Sequence, residues 1–175
     1  MVHSQTIRRI LHSSGRKSRV AACKSRLTES HKKDRVKFSE DYNDWRSEWD
    51  KVLFTDETCI SLGYFGSTRG CMSANGLETL HRITNRLNGM SYRDLLEHEM
   101  TNDVLDNHFC DGHFIFQHDN SSIHSSTVVN EWLSKQEFTV LPWPRNSPDL
   151  SPIENVWTIL KRTLNFNGVN NVNEL

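Results

Sequence analysis

Three acidic residues of this 175-residue chain stand in settings that seldom occur together. Asp56 interrupts the apolar run Val52-Leu53-Phe54-Thr55, Asp119 closes Phe114-Ile115-Phe116-Gln117-His118, and Glu154 follows Ser151-Pro152-Ile153. Carboxylates suit hard divalent cations such as Mg²⁺ and Mn²⁺, and a pair of such ions supports in-line displacement at phosphorus. Each acid also has a plainer reading. Asp56 would end a strand facing solvent, and Asp119-Asn120 would make a turn. Ser151-Pro152-Ile153-Glu154 would be a capping box with Pro at the first helical position. Taken together, in this order and with these flanks, the three favour a carboxylate trio around metal.

Such a trio needs strands to present the first two acids and a helix to present the third. Lys51–Leu62 reads as a strand with Asp56 in its middle. Gly70–Ser73 and Glu78–Ile83 are short β-like pieces around the hairpin signal Ala74-Asn75-Gly76. Ser91–Leu105 and Ser125–Lys135 read as helices, Phe114–Gln117 and Phe138–Leu141 as strands. Pro142, Pro144, Pro148 and Pro152 punctuate a rigid loop before a last helix from Pro152 to about Leu164. Upstream, the spacing of Phe38, Tyr42, Trp45 and Trp49 predicts one helix from about Thr28 to Trp49, docking its aromatic stripe on the core. Residues 4–12 form a short helical stretch with Ile7, Ile10 and Leu11 on one side and Arg8 and Arg9 pointing away. Strands alternating with helices predict an α/β or α+β domain.

The formal net charge of −1 hides an asymmetry. Residues 1–37 hold eleven Lys/Arg against Glu29 and Asp34, a formal +9, and the remainder is −10. A basic arm on an acidic body points to a polyanion, with DNA or RNA the obvious partners. Arg8, Arg9, Arg16, Lys17 and Arg19 are the candidate phosphate contacts. No run approaches the length of a membrane span, and no secretory segment follows Met1. Cys23, Cys59, Cys71 and Cys110 show no zinc-type spacing and read as thiols of an intracellular protein.

Asp56-Glu57-Thr58, Phe116-Gln117-His118-Asp119-Asn120 with His124, and the block from Trp143 to Trp157 resemble the catalytic motifs of Tc/mariner-type DDE transposases. The 34 residues between Asp119 and Glu154 match the Tc branch, which has Glu as its third acid. The resemblance runs upstream through Ser18-Arg19-Val20-Ala21 to Trp49. It implies a ribonuclease-H-like mixed sheet flanked by helices, with the first two acids on adjacent central strands. By that resemblance Asp56, Asp119 and Glu154 hold two Mg²⁺ or Mn²⁺ ions, and Asn120 and His124 support them. It further implies DNA partners (transposon terminal inverted repeats and target DNA), a homodimer, and action in the nucleus. Lys161 and Arg162, beyond Glu154, are read as a solvated helix face rather than as phosphate contacts.

The expected organisation is a helix-turn-helix remnant over 1–14, a basic linker over 15–29, and a catalytic domain over 30–175. That domain is expected to be shortened near 66–70 and at its C-terminal end. Only 62 residues separate Asp56 from Asp119, fewer than in relatives. The loss after Gly66 is expected to leave the second strand a stub, to weaken the sheet, and to weaken the dimer. Two functions fit these features: metal-dependent DNA strand cleavage and transfer, or DNA binding by a remnant without catalysis.

Overall fold

The computed structural model describes residues 3–15, 26–59, 67–83, 85–98, 104, 109 and 113–166. Arg16, Lys17, Arg19, the segment around Gly66 and the C-terminal residues 167–175 lie outside the described residues. Helix α1 spans Ser4–Ser13, as its apolar spacing requires, with Ile7 and Ile10 half-exposed and Arg9 turned to solvent. Arg8 lies on the same helix, its side chain outside the description.

Helix α2 spans Glu29–Asp41 and opens on a capping box in which Thr28 Oγ1 accepts from His31 N at 3.2 Å. It stops eight residues short of the expected end at Trp49. Local polar groups outcompete the helix there. The Arg46 guanidinium donates to the carbonyls of Asn43 and Trp45 at 2.8 and 2.7 Å, and Glu48 accepts from Arg46 N at 2.9 Å. A 3₁₀ turn over Ser47–Lys51 then leads into the sheet. The four rings still cluster, with centroids 4.6–6.4 Å apart, so the bend preserves the packing for which the stripe was read.

The strands are β1 (Val52–Cys59), β2 (Ser67–Ser73), β3 (Gly76–Ile83), β4 (Ile115–Gln117) and β5 (Thr139–Val140). They form one mixed sheet in the order β3-β2-β1-β4-β5. β1–β2 and β2–β3 are antiparallel, whereas β1–β4 and β4–β5 are parallel. Gly76, at φ +126°, closes the β2–β3 hairpin where Ala74-Asn75-Gly76 announced it. β2 is not the expected stub. It runs seven residues and is paired on both edges, which satisfies its backbone groups.

Helices α3 (Gly89–His98), α4 (Thr127–Leu133) and α5 (Ile153–Phe166) complete the domain. Asn88 starts α3 by a reciprocal cap with Ser91. Two buried clusters lie on opposite faces of the sheet. Leu53 packs with Tyr92, Leu96, Phe116 and Val129 under α3 and α4, while Val52 and Phe54 pack with Trp143, Ile153 and Trp157 under α5. Strand alternation extends this division one step along β1: Asp56 falls on the α5 face and Glu57 on the α3–α4 face.

Candidate active site

Asp56 is half-buried in β1, beside the N-terminus of α5. Trp157, buried on α5, donates Nε1–H to Asp56 Oδ2 at 2.8 Å. Residues i and i+3 share one face of a helix, so the tryptophan that reaches Asp56 also turns Glu154 toward the same space. Gly70, the cross-strand partner of Asp56, makes this possible. A Cβ there would meet Trp157 Cη2 at 2.5 Å and Leu80 Cδ2 at 3.0 Å. The capping-box reading of Glu154 is not realised: the buried Ser151 Oγ has no hydrogen-bond partner among the described residues. Burial pushes the Asp56 carboxyl up to about 6, against the Trp157 hydrogen bond, and the nearby Glu154 and Glu57 add to the rise.

Asp119 follows β4, two residues beyond Gln117. Thr55 Oγ1 donates to Gln117 O at 2.9 Å, which ties the strands together just before both aspartates. Asp119 does make a turn, accepting from Ser121 N at 2.9 Å, but its stronger partner is His124, whose Nδ1 lies 2.6 Å from Asp119 Oδ1. The other ring nitrogen, Nε2, is 3.1 Å from Glu57 Oε2. Glu57 is in turn bonded through Oε1 to Arg69 Nη1, its direct partner across the β1–β2 pairing. His124 is 3 % exposed and Arg69 fully buried, whereas the Asp119 side chain is 54 % exposed, so the acid faces outward from a buried support. Burial alone would lower the His124 pKa, but hydrogen bonds to Asp119 and Glu57 outweigh it and raise it to about 9. Burial likewise opposes ionisation of Asp119, yet the His124 and Ser121 hydrogen bonds hold it at about 2. His118 stays neutral, pushed by burial and by the charge on His124 to about 4.

Asp56, Asp119 and Glu154 all line one cavity of about 630 Å³, with Asn120, Arg145 and His31 also on its walls. Asn120 Nδ2 donates to Trp143 O at 2.6 Å, fixing the strand end to the proline loop. Among the described residues no three His, Cys, Asp or Glu side chains close into a ready coordination cluster. The three carboxylates face a shared space instead, Asp56 and Asp119 each with one oxygen held by the protein. An all-oxygen donor set, in which burial and Glu154 both oppose ionisation of Asp56, fits a hard divalent cation that would relieve that repulsion. Of the candidate phosphate contacts, Arg9 is exposed on α1, well away in sequence from the cavity. Sequence reasoning missed Arg69, Gly70, Tyr92 and His31, and took Glu57 and Trp157 only as letters of a motif. For Arg69 and Gly70 the sequence signal is an arginine and a glycine inside a strand.

A mixed sheet with one acid within a central strand, one just after its parallel neighbour and one on a late helix defines a ribonuclease-H-like domain. The sequence profile described as DDE superfamily endonuclease matches residues 67–175, and the chain belongs to that family. That match contains Asp119 and Glu154 and begins downstream of Asp56. A second profile, described as a transposase and of the Tc3 helix-turn-helix type, matches residues 1–44. The chain is 26 % identical to the transposable element Tcb2 transposase of Caenorhabditis briggsae, over 97 % of this chain and 72 % of that protein. It is 28 % identical to the transposable element Tc1 transposase of Caenorhabditis elegans, over 91 % of this chain and 69 % of that protein. The Tcb2 alignment runs over 202 residues, more than this chain has, so the relative carries residues that this chain lacks. In fold it is similar to the Mos1 transposase paired-end complex with left transposon end (TM-score 0.71, 18 % identity, 91 % of this chain). The chain spans 56 % of that Mos1 chain's length. The catalytic domain of Mos1 mariner transposase superimposes with a TM-score of 0.66 at 18 % identity, over 82 % of this chain and 76 % of that one.

Proposed function

We propose that this chain is a Tc-type transposase unit that binds DNA and cleaves and transfers DNA strands at the cavity shared by Asp56, Asp119 and Glu154. The presence of the three carboxylates on one cavity wall carries this reading. The acids would hold two Mg²⁺ or Mn²⁺ ions, which supply an activated water or 3′-hydroxyl and stabilise the departing oxygen. The chain's own residues prepare that chemistry: Trp157 fixes one oxygen of Asp56, His124 fixes one of Asp119, and Asn120 holds the proline loop that leads into the helix carrying Glu154. The Mos1 structures with Mn and with Mg support the choice of ion. Helix α1 and the basic segment after it, through Arg8, Arg9, Arg16, Lys17 and Arg19, would contact phosphate. The partners would be terminal inverted repeats and target DNA, the assembly a homodimer, and the location the nucleus.

The test is nicking of labelled duplex DNA in Mn²⁺, with Asp119→Ala alongside. Mn²⁺-dependent nicking by the wild type and none by the variant is the expected result; equal nicking in both, or none in either, refutes catalysis. The match of residues 1–44 to a helix-turn-helix profile supports a second reading, DNA binding without catalysis. Under it, affinity falls with added salt while no strand is cut.

A further inference from the structure

We propose that Glu57 and Arg69 are positioning residues for Asp119, acting through His124. This inference rests on the assignment of Asp119 as a metal-facing acid. Four side chains from three parts of the chain form one line: Arg69 on β2, Glu57 on β1, and His124 and Asp119 after β4. Glu57 spends both its oxygens within the line, Oε1 on Arg69 and Oε2 on His124. An ionised carboxylate only accepts, so a ring with carboxylate oxygens at 3.1 Å from Nε2 and 2.6 Å from Nδ1 donates from both nitrogens. One orientation of the imidazole satisfies both ends. The Tyr92 ring stacks on it at 4.0 Å, and Arg69 Cζ lies 4.8 Å over the same Tyr92 ring.

The three groups behind Asp119 are all much less exposed than Asp119 itself, and of the four only Asp119 lines the cavity. The line holds Oδ1 of Asp119, while the carboxylate lines the cavity. A buried ion pair contributes little net stability compared with apolar packing of the same volume. Its use here is to fix the direction of a half-exposed carboxylate. Outer groups of this kind typically alter metal affinity by about 10–100-fold.

The experiment compares the full chain, Asp119→Asn and the double variant Glu57→Gln/Arg69→Met. The double variant removes both charges of the pair together, so neither is left facing a neutralised counterpart. Thermal unfolding, Mn²⁺ binding followed by electron paramagnetic resonance, and the nitrogen-bound ring protons of His124 in ¹⁵N-edited NMR are measured on each. We expect the double variant to unfold near the wild-type temperature, to bind Mn²⁺ about 10–100-fold more weakly, and to lose the slowly exchanging His124 Nε2 proton. A folded double variant with wild-type Mn²⁺ affinity overturns the proposal. If the wild type shows no Mn²⁺ binding that depends on Asp119, the functional reading fails. The NMR signal then still judges the line in the metal-free protein, and ring protons unchanged by the double substitution sink it. Should the double variant not fold, Glu57→Asp replaces it. That variant keeps the charge but is too short to reach both partners, and wild-type Mn²⁺ affinity in it is equally fatal.

Discussion

The two faces of the sheet hold the candidate carboxylates by opposite means. On the α5 face, Asp56 and Glu154 are set by packing: Trp157 closes against Gly70, where a Cβ would meet it, and spends its one polar atom on Asp56. On the α3–α4 face, Asp119 is set by charge, through His124, Glu57 and Arg69. The two supports meet in consecutive residues of β2, because alternation sends Arg69 to one face and Gly70 to the other. Thus a strand that carries none of the three acids supports both halves of the site. Loss of sequence just before β2 need not dismantle the site, provided that the register Asp56↔Gly70 and Glu57↔Arg69 survives.

The largest effects separate the faces by mechanism. Trp157→Ala removes a buried ring and should destabilise by about 3–5 kcal/mol, read as a drop in denaturant midpoint. Glu57→Gln alone removes the carboxylate charge that faces the buried Arg69 and should approach the same loss, about 3–5 kcal/mol. The Glu57→Gln/Arg69→Met pair should recover most of it, whereas no second substitution on the charged face should rescue Trp157→Ala. Gly70→Ala forces Trp157 off the sheet. It should destabilise by about 1–3 kcal/mol while leaving the His124 ring protons as in the wild type.

The pH dependence of the metal-free protein divides the faces again. His124 has its folded pKa raised from 6.5 to about 9. Its contribution is fully present below pH 6.5 and is lost as pH rises through about 9. Asp56 and His118 titrate below that window. The melting temperature should therefore fall between pH 7 and 9 in the wild type and in Trp157→Ala, and should fall less in Glu57→Gln/Arg69→Met. The smallest effect lies outside both faces. Arg35 binds Asp149 through both carboxylate oxygens at 2.8 Å, joining α2 to the proline loop, and Arg35→Ala should cost under about 1 kcal/mol.

How much was legible in the sequence follows the same division. The three acids with their flanks, the turn residues of the hairpin at Gly76 and the helical spacing of Phe38 to Trp49 are local signals that the sequence carries directly. The end of α2 at Asp41 was missed because Arg46 and Glu48 compete for backbone groups in a way that apolar spacing does not record. Arg69 was missed because its role exists only through its pairing with Glu57, twelve residues earlier across the β1–β2 connection. Asn120 and His124 were found through motif resemblance, but the depth of the support behind His124 was not. A charged line assembled from β1, β2 and the segment after β4 has no periodic trace in any one of them.

The most direct measurement is calorimetric titration of Mn²⁺ into the chain and into Asp56→Asn, Asp119→Asn and Glu154→Gln. One shared site predicts that the wild type binds and that each single substitution weakens binding at least about tenfold, although the three residues sit on different elements and are held by different means. Wild-type affinity in any one of the three would remove that acid from the site and contradict the account.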